Sequence, residues 1–335
     1  MPQSSIREVA RHAGVSVGTV SNVLNRPDLV AEATRVRVQA AIAELGFVRN
    51  ESARRLRQGP PAPGGGVVGV LIRDVANPYF TDVARGTEAV LSAHGIDALW
   101  CTSEGSRDKE LRCLDFLHEH GAAAVLIMPV GQGAESVARA RAHGMGVVTL
   151  DRELPRADGC TARADHGAGG ALAARHLIDR GRTRLAFVTG APNSPPCRQR
   201  QAGAVRELAR DGHEPLLTLP QGDMTPTLGQ EAARRLLALP RPPTGVFCAN
   251  DLLAIGVVNE LLRQGVRVPE DIAVIGYDDI ELAATAAVPL TTVRQPRNEL
   301  GQIAAELALA ESGTASDHVH RHVVLAPELV VRDST

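Results

Sequence analysis

The sequence predicts a small all-α domain followed by two α/β subdomains, each built on a doubly wound parallel sheet. Three observations support this fold class. Apolar residues recur at helical spacing over residues 1–48, Pro and Gly dominate residues 59–66, and from residue 67 apolar runs of strand length alternate with amphipathic helical segments. The 335 residues also exceed what one compact core normally holds, which favours two or three domains.

The first 48 residues have the pattern of a helix-turn-helix unit. The first helix has one apolar face, formed by Ile6, Val9, Ala10 and Ala13. Gly14 supplies a turn, and Ser16 is a suitable N-cap for the second helix. The inner faces of the second helix and of a third, roughly residues 32–45, are formed by Val20, Val23, Leu24, Val38, Ala41, Ile42 and Leu45.

The outward face of the second helix carries small and polar side chains that suit close approach to a DNA groove. Asn22 can make a bidentate contact to adenine, and Val17 can touch a thymine methyl group. Thr19, Ser21 and the helix N-terminus can meet phosphates, whereas Gly18 only permits approach. The predicted DNA-reading residues are Ser16, Val17, Gly18, Thr19, Ser21, Asn22 and Asn25. A small bundle that binds another protein is the alternative.

Charge and cysteine content narrow the classes of partner. Residues 1–59 carry nine Arg and five acidic residues, a net charge of +4, whereas the rest of the chain carries −6, which gives the overall −2. A basic end on an acidic body indicates a polyanion partner for that end, although a solvated surface has the same signature. Five widely spaced cysteines without a CxxC motif argue against a disulfide framework or a zinc module, and we expect a cytoplasmic protein. We find no apolar run of about 18 residues and expect no membrane partner.

The rest of the chain reads as alternating strands and helices. The apolar runs are VVGVLI (67–72), DALWC (97–101), AAVLIM (123–128), GVVTL (146–150), RLAFVT (184–189), GVFCA (245–249) and IAVIGY (272–277). Short continuous runs between helices predict parallel sheets covered on both faces, and their number exceeds one sheet of usual size. Trp100 lies inside one run and is expected in the core.

Distinctive motifs occur along essentially the whole chain: VARHAGVSVGTVSNVLN (9–25), DVANPYF (74–80), LDR (150–152), RQRQAG (198–203), ANDLLAIG (249–256), IGYDDIELA (275–283) and PLTTVRQP (289–296). In this order they resemble the LacI/GalR family of transcription regulators. The resemblance implies a helix-turn-helix headpiece over residues 1–48, a hinge helix and linker over 49–66, and a sensing core of periplasmic-binding-protein type over 67–335. Within that core, the implied N-subdomain spans about 67–163 and 294–325, and the C-subdomain about 164–293 and 326–335. Ala31 departs from the family, which usually has a capping Ser there, and Thr34 is a possible substitute.

The resemblance also assigns a role to residues 50–57. In the family this segment folds into a hinge helix on operator DNA, and its Ala and Leu positions match Ala53 and Leu56. Paired leucines wedge into the central base step from the minor groove. Arg54, Arg55 and Arg57 are then placed to hold the flanking phosphates. A solvated Arg-rich linker is the alternative.

The predicted effector site follows the carboxyl ends of strands, where parallel sheets bind ligands. Carboxylates and a guanidinium suit the hydroxyl groups of a sugar or related polyhydroxyl compound, and aromatic rings cover its apolar face. By position in the matching motifs, the resemblance implies that the ligand-binding residues are Tyr79, Phe80, Asp151, Arg152, Arg200, Asn250 and Asp278. Asn250 and Asp251 could instead cap a helix, Arg152 could form a structural ion pair, and Asp165 is expected to cap a helix.

We expect no catalysis, no metal and no cofactor. Residues 14–18 match GxSxG, but a nucleophile elbow needs a preceding strand, and a helix precedes Ser16. The glycines at 64–66 precede a strand, whereas a dinucleotide fingerprint follows one. His318, His320 and His322 would share one face of a strand. Without a Cys or a second cluster, that pattern indicates a surface strand more than a metal site.

These observations predict a transcriptional regulator, a repressor, that binds a palindromic operator as a homodimer under control of a small effector. Effector binding would change how the N-subdomains of the two protomers are arranged relative to each other. That arrangement would decide whether the hinge helices can pair and fold. Three alternatives stay open at this stage: a solute-binding protein without DNA function, a sugar-modifying enzyme, and a regulator of purine-responsive type that needs a corepressor.

Overall fold

The computed structural model describes residues 5–47, 66–155, 158–192, 194–210, 212–312 and 318–335. The chain divides into two compact units, Met1–Pro60 and Pro61–Thr335. None of the helices within the described ranges is both long and apolar enough to cross a membrane.

The described residues of the first unit, 5–47, form the α-helices α1 (Ile6–Ala13), α2 (Val17–Asn25) and α3 (Glu32–Glu44), with a 3-10 turn (Pro27–Leu29) before α3. Ser5 and Glu8 form a capping box at the start of α1. Gly14 adopts a left-handed conformation (φ 63°) that ends α1, and Ser16 caps α2 by accepting a hydrogen bond from the Thr19 amide at 3.0 Å.

The headpiece core is built from the predicted apolar faces. Its fully buried members are Val9, Ala10, Ala13, Val20, Val23, Val38 and Ala41. The start of α3 is less well stabilised, because Ala31 at its N-cap makes no side-chain hydrogen bond and Thr34 does not replace it. A missing cap typically costs about 1 kcal/mol of helix stability.

The first lobe of the second unit is a six-stranded, all-parallel sheet in the order β11-β5-β4-β3-β1-β2. Its strands are β1 (Val67–Ile72), β2 (Asp97–Thr102), β3 (Ala122–Ile127), β4 (Gly146–Leu150), β5 (Cys160–Ala164) and β11 (His322–Leu325). Its helices are α4 (Tyr79–Ala93), α5 (Arg107–Glu119), α6 (Ala134–Ala142) and α12 (Arg297–Glu311). Apolar side chains cover both faces of the sheet, which explains the continuous apolar runs.

The second lobe is a six-stranded sheet in the order β12-β10-β9-β8-β6-β7, parallel except for β12. Its strands are β6 (Leu185–Thr189), β7 (Leu217–Pro220), β8 (Gly245–Cys248), β9 (Ala273–Asp278), β10 (Thr291–Arg294) and β12 (Glu328–Val330). Its helices are α7 (His166–Asp179), α8 (Pro195–Arg210), α9 (Pro226–Leu237), α10 (Asp251–Arg263) and α11 (Glu281–Thr285). The observed architecture is therefore the predicted fold class.

The chain crosses between the two sheets three times: after β5, after β10 and between β11 and β12. The three crossovers follow Ala164, Arg294 and Leu325, which are the last residues of β5, β10 and β11. Parallel sheets bring their carboxyl ends to one edge, and the crossovers place the two edges beside each other.

Trp100 does not lie in the core, contrary to the sequence-based expectation. It is 39% exposed because β2 is the edge strand of the first sheet and is only partly covered. An edge strand has a neighbour on one side alone, so its side chains lose part of the packing that an inner strand receives.

Candidate functional site

The predicted DNA-reading residues extend along α2, from its N-cap Ser16 to its last residue Asn25. Ser16, Val17, Gly18 and Asn22 are exposed, and Val17 keeps 41% of its surface accessible. Thr19 and Ser21 are half-buried, and the Thr19 hydroxyl lies 2.8 Å from that of Ser16. A Cβ added at Gly18 would meet only Ser16 Oγ, at 3.6 Å, so packing within the headpiece does not require glycine there.

Several predicted DNA contacts cannot be placed. Asn25 is the last residue of α2, and its side chain lies outside what the structure describes. Ala53, Arg54, Arg55, Leu56 and Arg57 also fall outside the described residues, together with the predicted hinge helix.

A cleft of about 640 Å³, partly open to solvent, lies between the two lobes of the second unit. Six of the seven predicted ligand residues line it: Tyr79, Phe80, Asp151, Arg200, Asn250 and Asp278. Arg152 instead lines an adjoining space that shares Asp151 with the cleft. The cleft thus combines two aromatic rings with two buried carboxylates and one buried guanidinium.

Asp151 anchors the first-lobe side of the cleft. It follows β4 in a left-handed conformation (φ 51°) and is buried. Its Oδ2 accepts the Tyr79 hydroxyl hydrogen bond at 3.0 Å, and its Oδ1 accepts one from the Ala164 amide at 3.3 Å. Burial alone would raise the pKa of Asp151, but His166, Arg200 and the Tyr79 hydroxyl together lower it, so the carboxylate stays charged.

His166 links the two lobes behind the cleft, and sequence reasoning missed it. The ring is fully buried, with Nε2 3.2 Å from Asp151 Oδ1. Arg200 Nε donates to His166 Nδ1 at 3.4 Å, which assigns the ring proton to Nε2, facing the carboxylate. Burial, reinforced by Arg200, lowers the pKa of His166, which favours the neutral ring. Nε2 faces the Asp151 carboxylate in close contact, but it meets the geometry of a hydrogen bond with no atom of the described residues.

Arg200, from the first half of α8, is held from three sides. Its guanidinium stacks 3.7 Å from the centre of the Tyr277 ring, and it donates to the Ala249 carbonyl as well as to His166. Burial would lower the pKa of Arg200, but Tyr277 and Asp278 raise it, so the charge is retained. A planar fork fixed in this way can donate hydrogen bonds to hydroxyl groups without losing further rotamer freedom.

Asp278 faces the cleft from the end of β9, in a positive-φ conformation (111°). Its Oδ1 accepts from Gln295 Nε2 at 2.6 Å, and its backbone carbonyl accepts from Arg297 at 2.7 Å. Burial raises the pKa of Asp278 to about 6, against the opposing effect of Arg200 and the Gln295 hydrogen bond. Gln295 is 2% exposed, and its Oε1 has no hydrogen-bond partner among the described residues.

Asn250 has the capping role that the sequence left open, and it also borders the cleft. Its Oδ1 caps α10 by accepting from the Leu253 amide at 2.9 Å, and the residue lines the cleft. Asp251, in contrast, is structural: its carboxylate accepts from the Ile280 amide at 2.9 Å and from the Thr292 hydroxyl at 2.6 Å, away from the cleft. Asp165 caps α7 as expected, accepting from the Ala168 amide.

Arg152 makes no ion pair within the described part of the chain, contrary to the structural alternative. It is 8% exposed and donates to the Pro129 carbonyl at 3.1 Å, while Nε and Nη1 have no partner in that part. Burial, followed by the nearby charge of Arg198, lowers its pKa. Two unpaired donors therefore border the space next to the cleft, where a ligand could accept hydrogen bonds.

Sequence reasoning missed several residues that line the cleft: Arg73, Asp74, Asn77, Met128, Ser194, Pro196, Cys197, Asp223, Met224 and Gln295. Some carried a usable signal. Asp74 and Asn77 lie in the motif DVANPYF, and Gln295 lies in PLTTVRQP at a crossover between lobes. Asp223 and Met224 lie in a loop after β7 without any distinctive pattern.

Comparisons with known proteins agree with this architecture. Residues 5–50 match the bacterial regulatory proteins of the lacI family, and residues 174–335 match the periplasmic binding protein-like domain. The HTH-type transcriptional repressor PurR of Photobacterium profundum is 34% identical over 339 residues, 99% of this chain and 98% of its own. The ribose operon repressor of Escherichia coli (strain K12) is 34% identical over 338 residues, 99% of each chain.

Solved structures extend the same comparison. The lac repressor dimer bound to operator and the anti-inducer ONPF has a TM-score of 0.82 at 25% identity, covering 99% of each chain. The complex of the transcriptional regulator CelR with cellobiose has a TM-score of 0.74 at 29% identity, covering 99% of this chain and 100% of that one. With relatives above 30% identity along its whole length, this chain belongs to the lacI family of bacterial regulatory proteins.

Proposed function

We propose that this chain is a DNA-binding transcriptional repressor that binds a palindromic operator as a homodimer and is controlled by a sugar in the cleft between its lobes. The single observation that carries the sensing role is the convergence of Asp151, Arg200 and Asp278 on one cleft. Each is buried and held by neighbours, yet each borders space open to a ligand. Burying three charged groups costs free energy, so their presence is better explained by ligand binding than by stabilisation of the fold.

The chemistry of the cleft favours a polyhydroxyl effector. Adjacent hydroxyl groups can donate to the carboxylates of Asp151 and Asp278 and accept from Arg200. Tyr79 and Phe80 supply an apolar surface for the carbon face of a sugar ring. Two relatives have sugars in their names, the ribose operon repressor and the CelR–cellobiose complex. An effector of purine-responsive type, acting as corepressor, is the second candidate because PurR repressors are equally similar over the whole chain.

The reading role rests on the headpiece. Ser16 and Val17 at the start of α2 and Asn22 further along it are exposed to solvent. On a helix-turn-helix unit, the exposed face of the second helix is the one that enters a major groove. We extend the proposal to the hinge that Ala53 and Leu56 match: the paired Leu56 side chains wedge the central base step, and Arg54, Arg55 and Arg57 hold the flanking phosphates. It follows that the protein works where its operator is, in the cytoplasm.

The homodimer is supported by an exposed apolar surface on the first lobe. Trp100 projects from edge strand β2 beside Ala84, Ala89 and the side chains of Arg85 and Glu88 on α4. An exposed Trp next to alanines and rimmed by charge is typical of a protein interface. We also propose the division into a headpiece (1–48), a hinge and linker (49–66) and a sensing core (67–335).

To test the proposal, a library of random-sequence DNA duplexes is incubated with the purified full-length protein at two salt concentrations, and the bound duplexes are selected and sequenced. We expect enrichment of a palindrome and a steep fall of affinity with salt. Asn22→Ala should weaken operator binding by about 1–3 kcal/mol, roughly 5- to 150-fold, through loss of a base contact. Gln39→Ala, on an exposed position of α3, serves as the matched control.

The same assay separates the candidate effectors. Pentoses, hexoses and disaccharides are added to one set of reactions and purine bases to another. Release of DNA by a sugar supports the first proposal, and tighter binding with a purine replaces it by the second. Enrichment of a single half-site contradicts the dimer. No enrichment at low salt, with or without either panel, refutes DNA binding and leaves a solute-binding protein.

A further inference from the structure

A second cluster of polar side chains lies in the first lobe at the edge of the sheet opposite the cleft. The cleft follows the carboxyl ends of the strands, whereas Cys160 is the first residue of β5. Around its thiol lie Glu311, the last residue of α12, and two histidines from the segment that precedes β11, His318 and His320. We propose that Cys160, Glu311, His318 and His320 form a binding site for Zn²⁺.

The four ligand atoms are already close to coordination geometry. All of them lie within 4.8 Å of one another. Cys160 Sγ is 3.4 Å from His318 Nε2, which is 3.4 Å from Glu311 Oε1, and His320 Nδ1 is 2.7 Å from the same oxygen. Tetrahedral zinc with its usual bond lengths requires sulfur–nitrogen separations of about 3.5 Å and nitrogen–oxygen separations of about 3.4 Å. Of these three pairs, the His320–Glu311 pair must open, with the metal replacing the proton between the two atoms.

Neighbouring backbone holds the cluster in place. The Arg321 amide donates to Cys160 Sγ at 3.2 Å, and the Cys160 amide donates to Glu311 Oε1 at 2.9 Å. Outer hydrogen bonds of this kind orient metal ligands. Gly146, at the start of β4, allows the end of α12 to approach the sheet. A Cβ at this position would lie 2.6 Å from the Cβ of Glu311, which is too close.

Charge and ligand type point to zinc among the common divalent ions. One thiolate and one carboxylate neutralise a doubly charged ion, so the occupied site carries no net charge and is inexpensive to bury. A set of one sulfur, two imidazole nitrogens and one carboxylate oxygen suits Zn²⁺, whereas Ca²⁺ and Mg²⁺ prefer oxygen ligands alone. Four protein ligands close the coordination sphere, which is typical of a structural site.

This cluster also explains why the sequence did not predict a metal. The histidine pattern suggested a strand with three histidines on one face, but β11 begins only at His322. His318 and His320 precede it, and the Cys and acidic partner that the pattern lacked come from positions 160 and 311. A bound ion would link the segment that precedes β11 to both β5 and α12.

The experiment uses tag-free, full-length protein, stripped with a chelator and titrated with Zn²⁺ in competition with a chromophoric chelator. We expect one zinc per chain. His318→Gln and His320→Gln should each weaken binding at least about 10-fold, while His322→Gln, at the first residue of β11 and outside the cluster, should not. Both ligand side chains are about one-fifth exposed (19% and 23%), so the substitutions leave the core intact.

Substitution with Co²⁺ tests the thiolate directly. We expect a sulfur-to-cobalt charge-transfer band that disappears in Cys160→Ala and persists in Cys101→Ala, a half-buried cysteine elsewhere in the lobe. Zinc that is not retained against the competitor overturns the proposal. So does zinc whose affinity is the same in the wild type and in the His318→Gln, His320→Gln double variant, because the ion then binds elsewhere.

Discussion

Replacing Asp278 by Asn is expected to stabilise the folded core at neutral pH while weakening effector binding. The Asp278 carboxyl is buried at the end of β9, and burial raises its pKa to about 6. In the unfolded chain the same group titrates near its ordinary value of about 3.9. Asn is isosteric and uncharged, and its Oδ1 can still accept the hydrogen bond from Gln295.

The pKa difference sets both the sign and the size of the effect. Because the folded pKa is the higher one, the stability that protonated Asp278 contributes is complete below about pH 4 and is lost as the pH rises through about 6. A difference of about two units corresponds to roughly 3 kcal/mol. The Asn variant escapes this loss, so its advantage in free energy of unfolding should grow from near zero at about pH 4 to roughly 3 kcal/mol at pH 7 to 8.

Urea unfolding of both proteins, followed by circular dichroism between pH 5 and 8, measures this difference. Asp279→Asn is the matched control. The Asp279 carboxylate accepts from Arg294 at 2.8 Å and from Arg332 at 2.6 Å, so its neutralisation should destabilise the core. A difference between Asp278→Asn and wild type that does not change with pH, or an Asn variant that is the less stable protein at pH 8, would refute the reasoning.

Two further substitutions probe the cleft and the headpiece. Arg200→Lys keeps the charge but removes the planar guanidinium that stacks on the ring of Tyr277. We expect effector affinity, measured by calorimetry, to fall at least about 10-fold. Arg198→Lys, at an exposed position of the same helix, should leave effector affinity unchanged. Ala31→Ser supplies the missing cap of α3 and should slow amide exchange in that helix about 5-fold in the full-length protein, corresponding to about 1 kcal/mol. Ala43→Ser, exposed within α3, should not slow exchange, and equal effects of the two serines would contradict the capping argument.

The elements that the sequence predicted well are those whose signal is local. Helix α1 follows from four apolar residues at one spacing and a glycine at its end, and the buried strands follow from continuous apolar runs. In both cases the buried face and the backbone period determine which nearby residues are apolar, so the element can be recognised from a short stretch of sequence. The ends of strands β4 and β9 could be located for the same reason, and Asp151 and Asp278 do lie at the cleft.

Contacts between distant segments left no such trace. His166 is separated by 15 positions from Asp151 and by 34 from Arg200, and its neighbours in sequence, a capping Asp and a run of Gly and Ala, indicate only the start of a helix. Trp100 was misplaced for a related reason. An apolar run predicts a strand, but the position of that strand within the sheet depends on the order of all six, and β2 proves to be at the edge.

The buried contacts around the cleft explain how one small molecule can act on two lobes. Asp151 belongs to the first lobe and reaches Arg200 of the second through His166, while the Asp278 carbonyl of the second lobe accepts from Arg297 on helix α12 of the first. An effector that bonds Asp151 and Asp278 together therefore contacts both lobes at once. A ligand shifts a conformational equilibrium only by its difference in affinity for the two states. Because those contacts lie on different lobes, their geometry changes whenever the lobes move relative to each other. The effector therefore binds the two arrangements of the lobes with different affinity. Substituting His166 should thus reduce the response to effector more than it reduces effector binding itself.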